Sequence, residues 1–218
     1  MAREQRKLAA IMAADVVGYD RLMGRDEAGT LLRLKKWHAD CLDPSLARNG
    51  GRIVKLTGDG VLAEFASAVD GLRAAVEFQQ ASAALNAVQP DPERMVFRVG
   101  IHLGDLIVEG NDLYGDGVNV AARLESEAPP GGIVISRAIR DAVAGKLKTT
   151  LRDLGELSLK NIEQPVQAFR VEWDVADWPL PDRSPPQVDP GASPSLPDKP
   201  SIAVGGPRCA IAGSGFFR

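Results

Sequence analysis

The chain has 218 residues, 44% hydrophobic and 25% charged, with a net charge of −3 and a pI near 5.5. That composition belongs to an ordinary globular protein and argues against a general nucleic-acid binder, which carries a basic patch or a high pI. No apolar run approaches the roughly 18 residues of a membrane span, so neither nucleic acid nor membrane is expected as a partner.

The N-terminal stretch "MAREQRKLAAIMAADVVGYD" is basic and then apolar, like a signal peptide, but Asp15 interrupts it and no small-residue cleavage site follows. It reads as a first strand, Leu8 to Val17, in a cytoplasmic protein. Arg25 to Ala47 has helical spacing of Leu31, Leu32, Leu34, Trp37, Cys41 and Leu42, and Asn49-Gly50-Gly51 stops it. Arg52 to Leu56 and Val61 to Phe65 form a hairpin. Ser67 to Val88 is an Ala-rich helix. Val96 to Leu103 and Asp105 to Glu109 read as two strands joined near Gly104. A short helix, Val118 to Glu127, precedes a strand at Ile133 to Ser136 and a helix at Arg137 to Ala144. Leu151 to Leu159 and Val166 to Trp173 close the domain as strands. The order βαββαβ with further α and β elements predicts an α/β sandwich, helices over a mixed sheet.

Residues 179 to 200 hold 8 of the 15 prolines and read as an extended linker. The expected organisation is a catalytic domain over 8–175, a Pro-rich linker over 176–200 and a short tail over 201–218, the remnant of a further domain in a shortened relative. Cys41 and Cys209 form no framework and read as plain thiols.

Polar residues interrupt apolar segments in three places. Asp15 ends a strand just before Gly18; Asp20 is the better candidate for capping the helix that follows. In "VKLTGDGVLAEF" Asp59 sits at a hairpin tip between Gly58 and Gly60, which permit a tight turn. If the strands carrying them are neighbours, Asp15 and Asp59 reach one end of the sheet, where they repel unless a proton or a cation intervenes. A hard divalent ion held by one or two carboxylates plus phosphate oxygens satisfies that demand. In "NDLYGDGVNVAARLESEAPPGG" Asn119 and Arg123 share a helix face, and an amide beside a guanidinium suits a phosphate. Each feature alone also has a plain structural reading: a turn, a cap, a solvated helix face.

Taken together, "AADVVGY", "VKLTGDGVLAEF", "VGIHLGD", "DLYGDGVNVAARLE" and "LGELSLKNIEQPVQAFRV" resemble, in order and spacing, the class III nucleotidyl cyclase catalytic domain over residues 8 to 173. The resemblance implies a ferredoxin-like βαββαβ core with extra C-terminal α and β elements. It implies that Asp15 and Asp59 hold two divalent metal ions, Mg²⁺ or Mn²⁺, and that Lys55 and Asp112 read the purine, with Asp116 an alternative for the latter. Asn119 and Arg123 would orient the ribose and stabilise charge on the reacting phosphate, and Lys160 would contact the terminal phosphates. Two copies would pair head to tail, each site taking its metal carboxylates from one subunit and its base- and phosphate-contacting residues from the other.

The implied reaction is attack of the ribose 3′-oxygen of ATP on the α-phosphorus, with pyrophosphate leaving. Lys55 donating to adenine N1 and Asp112 accepting from the 6-amino group disfavour GTP. Backbone N–H groups after Gly18 would receive phosphate oxygens. The chain departs from the family pattern at Ala14, commonly Thr, and at Asp20, often Ser or Thr. Competing readings are a guanylate cyclase, a silent dimerisation or nucleotide-sensing module, and a polymerase-type phosphoryl-transfer enzyme. His38 lacks companions at zinc spacing, and His102 reads as structural.

Overall fold

A computed structural model describes residues 5–109 and 112–179. The first strand, β1 (Gln5–Val16), leads into a seven-residue helix, α1 (Tyr19–Arg25), then α2 (Glu27–Trp37), a π-helical turn (His38–Leu42) and α3 (Asp43–Arg48). The hairpin β2 (Arg52–Thr57) and β3 (Gly60–Phe65) follows, then α4 (Ala68–Asn86), capped by the Ser67 side chain accepting from Asp70 N–H. The long β4 (Phe97–Glu109) turns through β5 (Asp112–Tyr114) into α5 (Asp116–Glu127). The elements β6 (Ile133–Ser136), α6 (Arg137–Val143), β7 (Thr150–Leu157) and β8 (Val166–Glu172) complete the sheet.

The sheet runs β2-β3-β1-β4-β6-β8-β7, with β5 paired to β4 off that path. The first four strands, in the order β2-β3-β1-β4 and antiparallel throughout, are the ferredoxin-like core; only β4 and β6 pair in parallel. The α+β sandwich expected from the sequence is therefore present.

Strand alternation sorts the core between two faces. From β1, Ala10, Met12, Ala14 and Val16 join Trp37, Leu42, Leu72, Phe78 and Ile139 in the larger cluster. The alternate residues Ala9, Ile11 and Ala13 pack with Leu106 and Ala121 on the face covered by α5. Asp15 is next in that second series, so periodicity alone turns its carboxylate toward α5. A glycine sets how close α5 comes: a Cβ on Gly100 would lie 2.1 Å from the Glu125 backbone nitrogen and 2.3 Å from the Ala121 carbonyl oxygen. Helix and strand backbones meet there directly, so no side-chain adjustment would relieve a methyl group.

Three expectations need correction. The helix expected over 25–47 starts at Glu27, where Asp26 caps α2 by accepting from Gly29 N–H, and it is two α-helices, α2 and α3, joined without a break by a π turn, with Pro44 in the first turn of α3. The strands over 96–103 and 105–109 are one, because Gly104 stays in register with β1 opposite Ala9. Asp20 is not the cap of the first helix; Gly18, with φ +68°, holds that position, and Asp20 lies in the first turn. Of the linker expected over 176–200 and the tail expected over 201–218, residues 180–218, with Cys209, lie outside the described residues. Val175–Asp177 form a short 3₁₀ turn, and Trp178 donates its indole N–H to the Lys148 carbonyl at 2.9 Å. Among the described residues no helix is long and apolar enough to cross a membrane.

Candidate active site

The carboxylate group of the site forms where β1 ends. Register pairs Asp15 with Arg98 of β4 and Ala14 with Val61 of β3, so β1 stands between the hairpin and β4. The hairpin turns through Gly58, whose φ of +65° needs no Cβ, and Asp59 follows. Its Oδ2 accepts from the Val16 backbone N–H at 3.2 Å, tying the tip to the end of β1. At the other end of the hairpin, nearly buried Glu64 of β3 accepts from Lys7 of β1 and Arg52 of β2, at 2.8 and 2.9 Å. The structure thus brings Asp15 and Asp59 together.

Their electrostatics differ. Burial pushes the Asp59 carboxyl above its ordinary range, its own N–H and that of Val16 oppose the shift, and the charges of Asp15 and Asp20 add to it. No cationic side chain among the described residues pairs with Asp59. Asp15 is gripped by Arg98, Nε to Oδ1 at 3.0 Å and Nη2 to Oδ2 at 2.6 Å. The same Nη2 lies 3.4 Å from Oε1 of Glu125 on α5. Burial raises the Glu125 carboxyl, and a hydrogen bond with Asp15 and the Asp15 charge raise it further.

Arg98 and Glu125 were missed in the sequence. Arg98 lies inside an apolar strand motif, and its partnership with Asp15 depends on the pairing of β1 with β4, across 83 positions. The available signal was alternation: Arg98, Gly100 and His102 share a face.

A second group gathers on the outer side of α5. Asn119 is exposed and Arg123 lies one turn later, both off the buried stripe of Val120, Ala121 and Leu124. Arg123 Nε donates to the backbone carbonyl of Lys160 at 3.2 Å. That carbonyl belongs to the connection between β7 and β8, where Leu159 is buried and Asn161 has φ +62°. The Lys160 side chain is exposed. Among the described residues no hydrogen bond or ion pair joins this group to Asp15 or Asp59.

Lys55 lies exposed on β2, just past a bulge between Ile53 and Lys55, and makes no ion pair with a described residue. Asp112 opens β5, opposite Glu109, and β5 lies against β2, so the backbones carrying Lys55 and Asp112 are neighbours. The Asp112 side chain lies outside the described atoms; Asp116 opens α5 and is exposed.

His102 faces α5 between two glycines. A Cβ on Gly104 would come within 2.9 Å of its Nε2, and one on Gly117 within 3.5 Å of its Cδ2. Its Nδ1 lies 2.9 Å from Ser136 Oγ. Burial lowers its pKa to about 4, so the imidazole is neutral at pH 7. Because the unfolded chain then binds more protons between pH 6.5 and 4, stability rises with pH in that window and is lost on acidification. The full shift corresponds to about 3 kcal/mol. Denaturant midpoints at pH 7 and pH 4 check this: His102→Gln should flatten the parent's fall by about that amount, and an unchanged slope would contradict it.

Residues 1–172 match the adenylate and guanylate cyclase catalytic domain family. The chain belongs to this family. A Rhizobium meliloti protein named "Putative adenylate cyclase 3" is 48% identical over 207 residues, covering 94% of this chain and 34% of that protein. An adenylate cyclase of Streptomyces coelicolor is 33% identical over 132 residues, covering 61% of this chain and 33% of its own length. The cyclase-family chain thus spans about a third of the length of these curated relatives. Among solved structures, an adenylate/guanylate cyclase/hydrolase from Silicibacter pomeroyi superposes with TM-score 0.74 at 42% identity, covering 79% of this chain and all of that one. The adenylyl cyclase CyaB of P. aeruginosa, at 24% identity, TM-score 0.70 and covering 80% of this chain and 98% of its own, shares the fold.

Two divalent ions fit the carboxylate end of this cyclase-family domain. Asp59 is partly buried, raised by its acidic neighbours and without a cationic partner, and Asp15 beside it is held in place from behind by Arg98. No cluster of three or more ligating side chains occurs among the described residues. Two carboxylates are nonetheless enough where substrate phosphates and water complete the shell, as is usual for Mg²⁺.

Proposed function

We propose that the chain is an adenylate cyclase that converts ATP to 3′,5′-cyclic AMP and pyrophosphate at composite sites of a symmetric homodimer. The observation that carries this reading is the division of the site residues. One chain presents a carboxylate pair at the end of β1 and, joined to it by no hydrogen bond or ion pair among the described residues, an Asn119–Arg123–Lys160 group on α5 and the β7–β8 connection. Neither group alone can both activate a 3′-hydroxyl and stabilise the reacting phosphate. A two-fold axis that sets one group of each subunit against the other of its partner builds two complete sites.

In that arrangement Asp15 and Asp59 hold a pair of divalent ions, Mg²⁺ or Mn²⁺. When bound, the ions lower the pKa of the attacking hydroxyl and neutralise the triphosphate. Arg123, fixed by the Lys160 carbonyl, stands ready for charge that grows on the α-phosphate, and Asn119 orients the ribose. Lys160 is free to meet the terminal phosphates. Lys55 donates to adenine N1 and Asp112 accepts from the 6-amino group. Guanine offers a carbonyl and a ring N–H at those two places, leaving both protein groups mismatched. We assign residues 8–175 to the catalytic unit.

Turnover of ATP and GTP, each with Mg²⁺ and with Mn²⁺, tests the substrate. Cyclic AMP formation is expected to exceed cyclic GMP formation by at least roughly 10²-fold in kcat/KM. Equal turnover of both nucleotides would refute the base assignment, and preference for GTP would make the chain a guanylate cyclase.

A further inference from the structure

The α4 side of the sheet, across it from Asp15 and α5, carries a cavity of about 670 Å³. It lies between the second half of α4 and the residues that open β4, and Trp173, just beyond β8, forms one wall. Met95, Phe97, Ala83, Ala87 and Val175 give it an apolar lining. That size falls within the range of about 300–1,000 Å³ typical of small-molecule sites, which pair apolar walls with a few polar groups.

Nearly every polar side chain in the wall is already engaged. Gln79 Nε2 donates to the carbonyls of Phe97 and Gly132 at 3.1 and 3.0 Å. Asn86 exchanges two hydrogen bonds with the Met95 backbone, at 2.7 and 3.0 Å. Gln80, in the amide orientation that satisfies both of its ends, accepts from the Trp173 indole N–H and donates to the Trp178 carbonyl. Ser82 is the exception. It is 2% exposed, and its Oγ has no hydrogen-bond partner. A helical serine commonly bonds back to the carbonyl one turn earlier, and a buried hydroxyl left without any partner is costly.

We propose that this cavity binds a small, uncharged and largely apolar molecule whose one hydroxyl or carbonyl meets Ser82 Oγ. Charge is excluded by the lining. Arg94 is the one charged residue among the described lining residues, and it is occupied: Nη1 lies 2.6 Å from Asp91, and Nε donates to the carbonyls of Asn86 and Gln89. An ion would enter without a counter-charge, and burying one so is strongly unfavourable. A peptide is disfavoured for a related reason. It would bring an N–H and a C=O with nearly every residue, and the wall has a single buried hydroxyl to meet them.

The probe is naphthol, uncharged at pH 7, titrated calorimetrically into the full chain, with folding followed by thermal melts. Saturable one-to-one binding is expected with a Kd below about 1 mM. Ser82→Ala should weaken it roughly fivefold, the loss of one hydrogen bond. Naphthoate, the same rings bearing a charge, should bind at least roughly tenfold more weakly than naphthol. Ala83→Trp should abolish binding: Ala83 is exposed on α4, so the indole fills the mouth without entering the core. Ala87→Trp, also exposed, repeats the block should the first variant fold poorly. Absence of saturable binding, parental affinity in Ser82→Ala or in both tryptophan variants, or naphthoate binding as tightly as naphthol would overturn the assignment. Loss of self-association in Ala83→Trp with naphthol binding intact would give this face to a second copy of the chain instead.

Discussion

Asp59→Asn is expected to lower cyclic AMP formation by about 10³-fold or more while the chain melts at the parental temperature or above it. The first half follows from losing a carboxylate whose ions supply several kcal/mol of charge stabilisation, each 1.36 kcal/mol being a factor of ten in rate. The second half follows from the strained charge of Asp59 itself. Its ionised form is disfavoured by burial and by the neighbouring Asp15 and Asp20. A neutral amide removes that penalty and keeps an oxygen for the Val16 N–H. Asp15→Asn should be as inactive but less stable, because it takes away the carboxylate that Arg98 grips. Turnover and thermal melts at pH 7 check the pair. A melting temperature for Asp59→Asn well below the parent, with activity lost in proportion, would give Asp59 a structural role instead.

Arg123→Ala should lower kcat by roughly 10²–10³-fold with KM for ATP changed only a few-fold, the pattern of a donor that acts on transition-state charge. The anchoring of Nε by the Lys160 carbonyl leaves the two terminal nitrogens of the guanidinium free to reach the phosphate. Arg123→Lys should recover little of the loss, since an ammonium lacks the planar fork and cannot use the Lys160 carbonyl in the same way. Steady-state kinetics separate the two parameters. A large rise in KM at constant kcat would mean that Arg123 merely binds substrate.

Much of this arrangement was legible in the sequence, for identifiable reasons. The β1 and hairpin segments are short apolar runs closed by glycine, so their strand character and the placement of Asp15 and Asp59 at strand ends followed from pattern alone. Asn119 and Arg123 were recognisable because four-residue spacing is a helix property independent of tertiary context. In the 25–47 segment the helical spacing held from Glu27 onward; it hid only the π turn and the start of α2, where the capping role of Asp26 depends on Gly29 leaving room for its carboxylate. Gly104 suggested a break because glycine is common in turns; its place in the strand leaves space for the His102 ring, which only packing discloses. Arg98 and Glu125 were invisible for a similar reason. Their relation to Asp15 arises from strand register and from the close seating of α5 at Gly100, both long-range consequences of the fold.

The central claim is that each catalytic site is completed by a second copy of the chain. Its most direct test mixes an Asp15→Asn/Asp59→Asn double variant with Arg123→Ala, each inactive alone. Random pairing of equal amounts makes half of the dimers mixed, and each mixed dimer has one intact site of two, so about one quarter of parental activity should return. Mixtures that pair demonstrably through orthogonal affinity tags, yet remain silent beside an active parent, would contradict the account.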